Sequence, residues 1–161
     1  MRFLAMSIAA LVATEAHAEG FAVHDLSTIA DDASHALGAG FIHRAAPGRV
    51  TLMCTGCEGG PMVDILIGRQ TDGTEQRVRS GQTSLSDLET LCRNRDPSCS
   101  LAGLSVSPAV GWITTWSMGS TAVILRDGDL LTIRSIAADA DTARRNAETV
   151  VEAVSPKVIG R

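Results

Sequence analysis

Apolar and polar residues alternate along Arg49 to Cys54 and again along Met62 to Gln70. Val50, Leu52 and Cys54 share one side of the first stretch, and Val63, Ile65 and Ile67 share one side of the second. A period of two is that of a half-buried strand. Between them Thr55-Gly56-Cys57-Glu58-Gly59-Gly60-Pro61 has turn composition, so the two strands are expected as a hairpin. Pro47-Gly48 marks a turn before it. Asp72-Gly73 reads as another hairpin turn, with Thr74 to Val78 as the next strand. Leu101 to Ser107 and Val110 to Met118 extend the strand pattern. In the second, Val110, Trp112, Thr114 and Trp116 point the same way. Ser120 to Arg126, Asp127-Gly128 and Asp129 to Ile136 form the clearest hairpin, with β-branched arms and an Asp-Gly turn.

Three stretches carry helical spacing instead. Asp25 is placed to cap a helix whose face holds Leu26, Ile29, Ala30, Ala33 and Leu37, ending at Gly38 or Gly40. Ser84 can cap a second, with Asp87 at its third position and Leu85, Leu88, Leu91 and Cys92 on one face. Asp96-Pro97 stops it. The third starts at Asp139 or Asp141, carries Ala140, Ala143, Ala147, Val150, Val151 and Val154 as a stripe, and is expected to end at Ser155-Pro156.

Strands, helix, strands, helix, without parallel βα alternation, predict an α+β fold. The expected architecture is a mostly antiparallel sheet of about five to seven strands with two or three packed helices, the C-terminal helix docked on the sheet.

The N-terminus adds a location. Met1-Arg2 is positive, Phe3 to Val12 is apolar apart from Ser7, and Ala16-His17-Ala18 is an Ala-x-Ala site. This is the pattern of a cleaved secretory signal, residues 1–18, with the cut before Glu19. The apolar run is shorter than the ~20 residues that span a bilayer. The expected mature chain, 19–161, is a single exported domain in the periplasm of a Gram-negative bacterium, with no transmembrane anchor after cleavage.

Charge narrows the partners. The formal net charge is −4, and Lys157 is the only lysine. An acidic chain offers no footprint for nucleic acid and no basic cluster for anionic lipid. Outside the signal the only aromatics are Phe21, Phe41, Trp112 and Trp116, so stacking platforms are scarce.

Four cysteines in an exported domain read as two disulfides with three possible connectivities. Cys54 with Cys57 and Cys92 with Cys99 is the preferred pairing, and crossed pairing stays open. The Cys54-Thr55-Gly56-Cys57 motif admits two further readings: a redox-active pair, or a copper site with Met53 and Met62, since thiolate and thioether ligands select Cu(I). Redox-active CxxC pairs draw thiolate stabilisation from a following helix, and here a strand follows. Met53 is adjacent to Cys54, so it faces the opposite side of an extended strand.

Asp31, Asp32 and His35 have ligand-like helical spacing, which a solvated face shares. No G-x-S-x-G, H-E-x-x-H, Walker loop or G-x-G-x-x-G occurs. The expected protein is a non-enzymatic periplasmic accessory or binding protein without a cofactor. It would meet a protein partner or small ligand through the sheet face or the Cys54–Pro61 loop. The alternative is a thiol-based module binding copper or exchanging disulfides.

Overall fold

A computed structural model describes residues 20–160. The expected signal and its cleavage site lie outside them.

The fold is α+β. A 3-10 turn, Leu26–Ile29, leads into helix α1 (Ala30–Leu37). Strands β1 (Phe41–Ala46), β2 (Arg49–Cys54) and β3 (Met62–Arg69) follow as a meander. Helices α2 (Thr74–Arg79) and α3 (Leu85–Arg95) come next. Strands β4 (Ser100–Gly103), β5 (Val110–Trp116), β6 (Gly119–Arg126) and β7 (Asp129–Ile136) form a second meander before helix α4 (Ala140–Ile159). All seven strands form one antiparallel sheet in the order β1-β2-β3-β7-β6-β5-β4.

Register explains the core. Val50, Ile65, Ile133, Ala122 and Ile113 stand opposite one another across five strands. All five are buried. This inner face is covered by α4, which lies against β5, β6 and β7, and by α1, which lies against β1 and α4. Ala143, Ala147, Val150, Val151 and Val154 are the buried side of α4, as their spacing predicts. Asp139 caps it: the side chain accepts from the Thr142 N–H.

The structure corrects the sequence reading in five places. Thr74 to Val78 is helix α2, not a strand. Gly73 takes a left-handed conformation at φ 80° and Asp72 accepts from the Thr74 N–H, so Asp72-Gly73 opens a helix instead of closing a hairpin. The neighbour of β3 is β7. Second, α4 continues through Pro156 to Ile159. Burial of Val158 and Ile159 beyond the proline outweighs its missing N–H. Third, β1 is an additional edge strand. Fourth, β4 ends at Gly103, short of the expected Ser107. Fifth, α3 begins with the expected Ser84–Asp87 capping box but buries no residue. It sits beside the short edge strand β4, where the sheet runs out, and Leu85 and Leu91 stay exposed.

Candidate functional site

Three regions present themselves: the cysteine loop, the outer face of the sheet, and the turn between β6 and β7.

Cys54 closes β2 and is bonded to Cys57, while Cys92 on α3 is bonded to Cys99 just before β4. Cys54 is buried under the sheet edge. Gly40, at φ 101°, passes so close that a Cβ there would lie 3.0 Å from the Cys54 Sγ. A loop follows Cys57, and β3 begins at Met62, so no helix begins at the pair. Met53 faces the other side of the strand from Cys54, opposite Met62 in the register. The four sulfur residues of the copper reading are therefore split between two faces. Among the described residues, no group of three or more His, Cys, Asp or Glu side chains converges as a metal site. Asp31, Asp32 and His35 also disperse: Asp31 approaches His43 on β1, and Asp32 pairs with Lys157 on α4.

The outer face is where Met53 and Met62 belong. One register row crosses it: Ile42, Met53, Met62, Ile136, Gly119 and Trp116. Trp116 lies over Gly119, whose added Cβ would come within 3.0 Å of the indole Cζ2. Ile42 is 54% exposed, Ile136 45%, and Met118, in the turn beside Trp116, 68%. The next row is polar: Arg44, Thr51, Asp64, Arg134, Thr121 and Thr114. Asp64 takes a bidentate contact from Arg49 and a hydroxyl from Thr51. Arg44 and Arg134 are exposed and make no salt bridge among the described residues. At the far end of this face α2 and α3 lie against β5, and Leu85 meets Gly103. Trp112 is buried there, while Trp116, on the same side of the strand, is half-buried.

The β6–β7 turn gathers charge. Asp129 is buried and accepts from the Phe21 N–H, His24 and Arg69. Gly20 must lack a side chain, since a Cβ there would collide with the Asp129 carboxylate. Glu75 of α2 is also buried; it accepts from the Gly128 N–H and twice from Arg79. Burial works to raise its pKa, but the Gly128 and Asp127 N–H groups and Arg79 outweigh it. The carboxyl is held below its ordinary range. A cleft of about 420 Å³ opens between Arg69, Glu75, Arg79 and the Asp127-Gly128 turn.

The sequence singles out Met53 and Met62 beside the CxxC motif, Trp116 and the Asp127-Gly128 turn, but it joins none of them into the outer row or this cleft. A signal for the first existed in β7. Ile136 follows the polar outward residues Thr132 and Arg134 at the end of the strand, and that return to an apolar side chain marks it.

No known family model matches the chain, and no curated protein matches it. Among solved structures it is similar to the solution structure of cyanobacterial PsbP (CyanoP) from Synechocystis sp. PCC 6803. Sequence identity is 13% and the TM-score 0.46, over 72% of this chain and 81% of that one. Similarity at that level assigns neither an activity nor a partner.

Proposed function

We propose that the chain is an exported, non-enzymatic accessory protein of the Gram-negative periplasm that docks a protein partner on the outer face of its sheet. The Met1–Ala18 segment would be its cleaved signal. Two disulfides suit an oxidising compartment. Among the described residues no helix is long and apolar enough to cross a membrane.

The observation that carries the reading is the in-register row of Ile42, Met53, Met62, Ile136 and Trp116, with Met118 beside it. Met, Trp and Arg are the residues enriched at protein interfaces, and a contiguous exposed apolar band marks such a site. Charge selects the occupant. The outer face has Arg44, Arg49 and Arg134 against Asp64, on a chain whose formal net charge is −4. A second copy would set one arginine fringe against another. A partner with an apolar ridge bordered by carboxylates fits both rows.

The test is site-specific photocrosslinking in the native host, with a benzophenone residue at Ile136 or Met118 and a control at Gln82 on the surface. One protein adduct should form from the first two positions and be lost on Arg134→Glu. An Ile42→Asp/Ile136→Asp variant should be secreted normally and fail to complement a deletion. Adducts only with lipid or with a second copy, or full complementation, would overturn the reading. N-terminal sequencing of the same material should begin at Glu19.

A further inference from the structure

The cleft at the β6–β7 turn stands apart from the docking face, and every side chain lining it is polar. What the cleft offers is two cations and two carboxylates held in fixed places.

Consider the cations first. Arg69 uses its Nη1 on Asp129 and leaves Nε and Nη2 without a hydrogen bond among the described residues. Arg79 spends Nε and Nη2 on Glu75 and leaves Nη1. Each guanidinium is thus fixed from behind by a buried carboxylate. Pre-oriented guanidinium N–H groups are suited to an oxyanion.

The carboxylates differ from one another. Glu75 is saturated, with Arg79 on one oxygen and the Gly128 N–H on the other. Asp127 keeps acceptor capacity: its nearest cation is Arg126, at 3.6 Å, and Arg126 also donates to the Ile159 carbonyl. Asp127 sits at φ 52°, so the turn itself holds it at the cleft rim. Gln76 and Thr71 add neutral donors on the walls. Asp129 and Glu75 already match the two guanidiniums, and Asp127 adds a further negative charge, a balance that disfavours a dianion such as phosphate and favours a ligand that carries both charges.

We propose that this cleft binds a small zwitterion of the α-amino acid type, its carboxylate on Arg69 and Arg79 and its ammonium on Asp127. No bond is made or broken. The site is a binding site and does not depend on the outer face.

The experiment is a titration of ¹⁵N-labelled mature protein with four separate probes: L-alanine, acetate, methylammonium and inorganic phosphate. Alanine should give saturable shifts at the Gly73, Gln76 and Gly128 amides. Acetate and methylammonium, each carrying half of the recognised charge, should bind about 10-fold more weakly or worse. Phosphate should bind more weakly than alanine. Arg69→Gln should weaken alanine by about 10-fold. Asp127→Asn keeps a residue that tolerates the left-handed turn and should make alanine and acetate bind alike. Phosphate or acetate binding as tightly as alanine to the unaltered protein would overturn the proposal in favour of a plain oxyanion site. So would shifts confined to other regions, or no saturation by about 10 mM alanine. Because the unaltered protein is the primary sample, a variant that fails to fold leaves the result intact.

Discussion

The inner and outer faces of the sheet are built from the same strands, and both carry an apolar row in register. On the inner face Val50, Ile65, Ile133, Ala122 and Ile113 lie beneath helices. On the outer face Ile42, Met53, Met62, Ile136 and Trp116 span the sheet, and their edges stay open to solvent. Composition differs too. The inner row is β-branched or small, residues that fit one packed arrangement. The outer row holds two methionines and a tryptophan, which adapt to a surface brought by another molecule. Apolar alternation in a strand therefore takes two forms here, one covered by helices and one left open to solvent.

Charge placed on each face separates these meanings most sharply. Val151→Asp puts a carboxylate between α4 and the inner face, where it has no partner. It should cost about 3–5 kcal/mol and remove soluble protein. An unchanged melting temperature would show that α4 is not docked.

The disulfides come next. Cys92→Ser/Cys99→Ser opens the eight-residue ring from Cys92 to Cys99 and should cost about 2–3 kcal/mol on the chain-entropy model. Cys54→Ser/Cys57→Ser opens a shorter ring and should cost about 2 kcal/mol or less. Both can be read by denaturant midpoint. Crosslinking from Ile136 should persist in the second variant, because those sulfurs belong to the inner side. Loss of the crosslink from a folded double mutant would return function to the CxxC loop.

Acid should act on the polar turn end and on the helix caps, not on either apolar row. Glu75 is held below its ordinary range when folded, as are Asp87 and Asp139 at the helix caps, by the N–H groups they accept. A depressed folded pKa contributes stability above the unfolded value, and that stability is lost as pH falls through the folded one. The melting temperature should hold from neutral pH down to about pH 5 and drop below about pH 4. Glu75→Gln should flatten that drop; an unchanged acid profile would exclude Glu75 as a contributor.

The smallest effect is the most telling for the comparison. Ile136→Asp should change stability by less than about 0.5 kcal/mol while abolishing the crosslink at Met118. A cost as large as that of Val151→Asp would mean that the outer row is part of the core.

Much of the fold was legible because local chemistry and burial agree. Asp127-Gly128 turns β6 into β7, and Asp139 and Ser84 start their helices as capping residues should. The misreadings arise where tertiary burial overrides local preference. Thr74 and Val78 have strand propensity, yet Glu75 is drawn into a buried contact with Gly128 and Arg79 that only a helical turn provides. Pro156 reads as a stop, yet Val158 and Ile159 are buried beyond it. The candidate regions were less legible than the fold. The outer row is assembled from six strands, and the cleft from β3, α2 and a hairpin turn. No contiguous motif records either. The sheet face and the cysteines were visible; the residues on that face that stay uncovered were not.

The strand order has a kinetic consequence. Within β1-β2-β3 and within β4-β5-β6-β7 every pairing joins neighbours along the chain, so each meander can form through short loops. Only β3 against β7 joins distant segments, from Met62↔Ile136 to Arg69↔Asp129, across the whole span that holds α2 and α3. Closing that span costs chain entropy before any contact repays it. The two halves should thus organise early and meet late. Trimming Ile65 or Leu131 at the seam should slow refolding more than trimming Ile113 at the periphery, and stopped-flow rates showing the reverse would place the barrier elsewhere.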